Sequence, residues 1–289
     1  MSGRWRPDYG LYSGTLKTCP TVCELLMDGA QLWQTLIQGV VQGITEFLPI
    51  SSKSHLILVG KLLDRWFGTS ATADETIALI VGLHLGTLLA TIVVYRQDLW
   101  SLRKRHRLLL NVIIGSIPVA VVGLAFKDWL EQTLVSPLLV GLGLFITATF
   151  LFAGQRMEIS LLELDQMKWP HALAVGCFQT LALLPGISRS GSTIAGGLMV
   201  GLTRHAATTF SFLLSVPAVG GVVLLKGLAM RHSESLAIGQ LLFGAVISFA
   251  VGIAALRFLI RIVTQRQLHW FAYYCLVLGT VVTAWQLWP

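Results

Sequence analysis

Charge is scarce in this chain. Only 12% of its 289 residues are Asp, Glu, Lys or Arg, about half the share of a soluble globular domain, and that excludes an ordinary water-soluble fold. Cysteine is also sparse. Cys19 and Cys23 have the spacing of half a zinc site, but no second Cys or His pair follows nearby, and Cys177 and Cys275 sit in apolar segments. A disulfide framework and a closed structural zinc site are therefore both excluded. No long hydrophobic run precedes Leu32, so residues 1–31 do not read as a secretory signal peptide. Met27 stands just before the first apolar segment, and residues 1–26 are expected to be dispensable or a misassigned start. The basic residues are not set among aromatics on a polar surface, so no nucleic-acid partner is expected despite a net charge of +7.

What the chain has instead is hydrophobic length, at 54% apolar residues. Its charges fall in short bands that leave stretches of the roughly 20 residues needed to cross a bilayer. Spans are expected near 77–95, 108–126, 137–154, 206–225, 237–256 and 269–288. Two further apolar segments, 32–60 and 171–201, are each broken by a proline followed by hydroxyls and a fixed cation. The first runs Gly39-Val-Val-Gln42 to Leu48-Pro49-Ile50-Ser51-Ser52-Lys53-Ser54-His55; the second runs Gly176-Cys-Phe-Gln179 to Leu184-Pro185-Gly186-Ile187-Ser188-Arg189-Ser190. Proline removes a backbone donor and clashes with the preceding turn. The freed groups must line a cavity inside the protein, because lipid cannot satisfy them. Each segment is expected to be a re-entrant helix–loop–helix.

A second match, Gly115-Ser-Ile-Pro-Val-Ala-Val-Val-Gly123 with Gly244-Ala-Val-Ile-Ser-Phe-Ala-Val-Gly252, follows in the same order along each half. The expected fold is an all-α polytopic membrane protein of two repeats, each with one re-entrant hairpin plus three transmembrane helices. Three crossings per half force the second copy to run in the opposite orientation, an inverted repeat. Residues 1–31 form an N-terminal extension and 32–289 a single membrane domain: repeat one 32–154, linker 155–169, repeat two 170–289. Polar loops are expected at 61–76, 96–107, 127–136, 155–169, 226–236 and 257–268. Loops 96–107, 155–169 and 257–268 hold ten Lys and Arg against five in the alternate set. The positive-inside bias assigns the richer set to the cytoplasm. Arg4, Arg6 and Lys17 count against that orientation.

Ionisable groups within apolar segments are expensive, so they mark a functional site. Glu46 lies four residues after Gln42, on the same helix face, and pairs with Lys53 or Arg189 or works as a base. Arg189 offers a planar fork of donors suited to phosphate oxygens. Around it Ser188, Ser190, Ser192 and Thr193 add hydroxyls, while Gly186 and Gly191 let backbone N–H groups approach a ligand. His55 is placed to move a proton near neutral pH, whereas His84 is expected to be a helix-packing residue and Arg204 to snorkel to the interface. The two loops are expected to meet in one phosphate-handling site. Arg189, Lys53 and backbone N–H groups would stabilise charge, with Glu46 and Ser52 or His55 moving protons. Water, serine and histidine remain open as the nucleophile.

At these residues the chain resembles the undecaprenyl-diphosphate phosphatase family, also called the bacitracin-resistance protein. The likeness runs from Gln31 to Trp288, on Gln42-Gly-Ile-Thr-Glu46-Phe-Leu-Pro-Ile-Ser-Ser52 and Pro185-Gly-Ile-Ser-Arg-Ser-Gly-Ser-Thr193. The resemblance implies hydrolysis of undecaprenyl diphosphate to the monophosphate and inorganic phosphate, recycling the carrier lipid for peptidoglycan synthesis. It implies catalytic roles for Glu46, Ser52, His55 and Arg189, with Gln42, Ser51, Lys53, Gly186, Ser188, Ser190 and Thr193 about the substrate. It further implies a Mg²⁺ or Ca²⁺ ion bound by Glu46, a homodimer, and a site open to the outer face of the bacterial plasma membrane. Bacitracin would compete for the same lipid. Three positions depart from the family. Gln42 stands where many members carry glutamate, which leaves Glu46 the carboxylate of the site; Lys53 stands where a small residue is commoner; His84 stands where an amide is commoner. A transporter or flippase for an anionic lipid would want the same repeats and the same arginine. The other large class of membrane lipid phosphatases is excluded, because the chain has no Pro-Ser-Gly-His.

Overall fold

A computed structural model describes residues 29–67, 73–127, 129, 137–157, 161–229 and 238–287. The expectation for residues 1–26 lies outside them. Among the described residues the chain is all helical: α1 (Gly29–Thr45), α2 (Ser52–Phe67), α3 (Ala73–Val94), the short α4 (Arg96–Ser101), α5 (His106–Ala125), α6 (Pro137–Arg156), α7 (Trp169–Leu181), α8 (Arg189–Met199), α9 (Arg204–Ala229), α10 (Ile238–Thr264) and α11 (His269–Leu287).

Six of these, α3, α5, α6, α9, α10 and α11, are long and apolar enough to cross a membrane. A helix suits that medium because it satisfies its own backbone donors and acceptors. The arms of the two hairpins, α1/α2 and α7/α8, are shorter. α8 has 11 residues, which at 1.5 Å per residue reach about 16 Å, half the hydrocarbon thickness.

Where the boundaries differ from expectation, helix replaces loop. The stretch 61–76 is not one polar loop, since α2 runs on to Phe67 and α3 begins at Ala73. The band 96–107 contains α4, and α10 continues to Thr264, through the expected loop start at 257. Its last turn carries the exposed Arg261, and a cation at a helix C-terminus favours the extension by complementing its dipole. Arg204 does not snorkel. It is buried and donates from Nη1 to the Val263 carbonyl at 3.2 Å, closing the end of α10 against the start of α9.

The helices pack through small residues. α3 lies against α10, where a Cβ on Gly86 would collide with Ala245 O and Ser248 Oγ, and Ser248 Oγ donates to Leu83 O at 3.0 Å. α6 packs on α11, and α9 contacts α3, α5, α8 and α10 from the centre. Each hairpin leans on a span of the other half: α1 on α10, and α7 on α5. Gly176 of α7 meets the Gly115 carbonyl so closely that a Cβ there would overlap it. Gly39 of α1 packs on α10 against Ile247 and near Gly244. The glycines paired by the internal sequence match thus serve corresponding helix crossings.

Candidate active site

The site forms where the two hairpin turns meet. After α1, residues 46–51 turn around Pro49 and reach Ser51, which holds a left-handed backbone at φ 70°. That conformation costs a non-glycine residue of order 1–3 kcal/mol and persists only where its surroundings enforce it. Ser51 is buried, its Oγ 3.0 Å from Ser54 Oγ. In the second turn the left-handed position is Gly186, φ 85°. Ser188 then caps α8, its Oγ accepting from Gly191 N at 3.2 Å. Thr147 of α6 pins this turn: its Oγ1 donates to Gly186 O at 3.0 Å and accepts from Ser188 N at 2.9 Å.

The turns touch directly. Ser190 Oγ donates to Leu48 O at 3.3 Å, and Gly191 lies beside the Pro49 ring. At this junction Glu46 Oε1 accepts from Arg189 Nη2 at 2.8 Å, joining residues 143 apart in the chain. Glu46 Oε2 accepts from Ser52 Oγ at 2.7 Å and from Gln42 Nε2 at 3.1 Å. The pair is buried, with side-chain exposures of 8% for Glu46 and 16% for Arg189. Two buried polar atoms beside it have no hydrogen-bond partner, Gln42 Oε1 and Arg189 Nη1. The guanidinium carbon lies 5.9 Å from the centre of the Phe212 ring. Glu46 and Arg189 line a narrow cleft, closed to water-sized molecules, with Thr87, Leu88, Thr91, Ser215 and Val219 from α3 and α9.

The sequence-predicted residues separate into three groups. Glu46, Arg189, Ser52 and Gln42 converge on one carboxylate, and Glu46 takes Arg189 as its ion-pair partner. Ser188, Ser190, Thr193 and Gly186 are buried in the second turn, where their polar atoms hold the turn itself; Thr193 Oγ1 lies 2.5 Å from Ser211 Oγ. His55 and Lys53 lie to one side. His55 Nδ1 is 2.8 Å from Ser51 O and its Nε2 is 2.7 Å from the Tyr274 hydroxyl, with the two rings stacked at 15°. A carbonyl only accepts, so Nδ1 carries the proton and Nε2 accepts from the phenol. Lys53 is exposed, within electrostatic reach of Glu46. His84, expected only to pack, also lies within electrostatic reach of Glu46 while its Nδ1 bonds Ile80 O at 2.9 Å. Thr147, Phe212 and Tyr274 were not singled out from sequence. All three sit on apolar spans far along the chain, with no local motif around them.

Fold and site together define a polytopic membrane protein in which a carboxylate and a guanidinium from opposite halves share one buried cleft. Residues 35–281 match the family described as bacitracin resistance protein BacA, and the chain belongs to that family. It is 41% identical over 261 residues to an undecaprenyl-diphosphatase of Rhodopirellula baltica, covering 89% of this chain and 99% of that protein. Undecaprenyl-diphosphatases of Korarchaeum cryptofilum and Nitrosomonas eutropha are each 37% identical, over 87% and 89% of this chain and 98% and 95% of their own lengths.

Proposed function

We propose that this protein is an enzyme of the bilayer that hydrolyses undecaprenyl diphosphate to undecaprenyl phosphate and inorganic phosphate. In doing so it returns carrier lipid to peptidoglycan synthesis and confers resistance to bacitracin, which competes for the diphosphate. The observation that carries the reading is the 2.8 Å contact between Glu46 and Arg189 with Ser52 on the second carboxylate oxygen. A nucleophile and a base within hydrogen-bond reach, next to a cation that neutralises phosphoryl oxygens, are the parts phosphoryl transfer requires.

In this reading Arg189 exchanges Glu46 for the terminal phosphate, whose oxygens satisfy both Nη1 and Nη2. Ser52 Oγ attacks the terminal phosphorus as its proton passes to Glu46. The bond from that phosphorus to the bridging oxygen breaks, and undecaprenyl phosphate departs. Water then attacks the phosphoserine phosphorus, its proton taken by His55; the bond from phosphorus to Ser52 Oγ breaks, Glu46 returns a proton to that oxygen, and inorganic phosphate departs. His55 lies three residues along α2 from Ser52, on the same helix face, and releases Tyr274 to do this. Lys53, exposed beside the carboxylate, holds the substrate's remaining phosphate.

A Mg²⁺ or Ca²⁺ ion would find an all-oxygen donor set in Glu46 and the unpartnered Gln42 Oε1, with phosphate and water completing its shell. No group of three or more His, Cys, Asp or Glu that could hold an ion occurs among the described residues, so the substrate would supply much of that shell. When bound, the ion neutralises diphosphate charge. The exchanged packing of α1 on α10 and α7 on α5 supports an inverted repeat. A bacterial plasma-membrane location, a cleft open to the outer face and a homodimer follow from the family resemblance alone. Purified protein in detergent is expected to release phosphate from undecaprenyl diphosphate. Movement of the lipid across vesicles without phosphate release would instead favour a flippase.

A further inference from the structure

Away from the cleft, the loop between α4 and α5 lines a second cavity of ≈ 360 Å³. Lys104, Arg105, His106, Arg107, Asn111 and Asp165 are among the residues that line it. The loop is fixed in place. Arg105 pairs with Asp165, with Nε donating at 2.7 Å and Nη2 reaching the same oxygen. Buried Asn111 donates from Nδ2 to Met167 O at 2.9 Å. Asp165, the carboxylate in the lining, is thus taken up by Arg105, and the exposed Lys104, His106 and Arg107 are left facing water. The first turn of α5 lines the cavity too, and no side chain caps it. Uncapped amides at a helix start add donors suited to an anion.

The surroundings distinguish a lipid from a free ion. Arg107 begins a helix face that continues through Leu110, Ile113, Ile117, Val121 and Leu124, all exposed. From Leu110 to Leu124 this apolar stripe runs about 21 Å along α5. Trp100, exposed and stacked under the Arg103 guanidinium at 3.9 Å, gives the interface an amphipathic anchor of the kind found at headgroup depth. Arg107 belongs both to the cavity lining and to this stripe, so one anionic phospholipid matches both, phosphate at the cavity and acyl chain along the helix.

We propose that this cavity is a binding site for the phosphodiester headgroup of an anionic membrane lipid. It lies on the side that the positive-inside bias assigns to the cytoplasm, and it is independent of the hydrolytic reading. The test is native mass spectrometry of the full-length protein in detergent, titrated with phosphatidylglycerol or phosphatidylcholine. Wild type is expected to retain phosphatidylglycerol about 25-fold better, as two unpaired cations at an interface would give. Lys104→Ala/Arg107→Ala should bind the two lipids alike, while Arg257→Ala/Arg261→Ala, which removes two cations elsewhere, should keep the preference. Should the double variant fail to fold, Arg107→Gln at an exposed position should still lose about fivefold. An undiminished preference in these loop variants overturns the proposal, as does an equal loss in the α10 control, which would mean a diffuse field. Displacement of the lipid by millimolar inorganic phosphate would mean that the cavity takes the free ion, and would also overturn it.

Discussion

Glu46→Gln is the most informative single change, because it separates an ion pair that holds the turns together from one that performs chemistry. The glutamine keeps the shape and an oxygen to accept from Ser52, but leaves the Arg189 guanidinium, 84% withdrawn from solvent by its 16% exposure, without a counter-charge. Breaking a buried pair by removing one partner costs about 3–5 kcal/mol, most of it from the abandoned charge. Arg189→Met should cost a similar amount from the other side. The double variant leaves no charge stranded, so its loss should fall short of the summed single losses by about 2–3 kcal/mol, the coupling expected of residues in contact. Turnover should behave differently. Loss of the proton acceptor should lower kcat by about 10²–10⁴-fold, and neutralising both partners should not restore it. Thermal unfolding in detergent reads the first quantity and phosphate release from undecaprenyl diphosphate reads the second. Wild-type turnover by Glu46→Gln, or recovery of activity along with stability in the double variant, would refute the catalytic assignment and leave only a structural clasp.

Ser52→Ala should lower turnover by at least about 100-fold as the attacking oxygen is lost, with lipid binding retained; if only KM rises, Ser52 merely binds. Tyr274→Phe removes the hydroxyl that holds His55 Nε2, a bond that must break before the histidine acts, and should raise kcat by up to roughly 3–10-fold, about the worth of one hydrogen bond. Combined with His55→Ala it should add nothing further, and an additive effect in the kinetics would show that Tyr274 does not act through the histidine. Thr147→Val keeps the volume but deletes the hydroxyl tying α6 to the second turn. About 1–3 kcal/mol of stability should go with it, seen as a lower melting temperature; an unchanged melt would mean that the turn holds its own shape.

The site was legible to the extent that its chemistry is local. Gln42 and Glu46 share a helix face because they are four residues apart, and the structure has them bonded at 3.1 Å. The prolines at 49 and 185 mark the two breaks, and both turns fall there. The choice of Arg189 over Lys53 as the partner of Glu46 was not legible, since one lies seven residues away and the other 143. Neither was the use of the second-turn hydroxyls: Ser188 and Thr193 look like ligands in sequence but are spent on a helix cap and on Ser211. Arg204 misled for the same reason, because its partner is a carbonyl at the far end of another helix.

Sequence alone determined the helical membrane class, the six spans and the two interrupted segments. Apolar length and proline act on the chain locally, and a bilayer admits few other structures. Tertiary structure decided which groups meet. Close crossings such as Gly176 on Gly115 seat each hairpin against its neighbouring helices, and that seating brings a carboxylate and a guanidinium from distant segments to 2.8 Å. A contact of that kind depends on packing between segments that carry no record of one another in their local residue pattern.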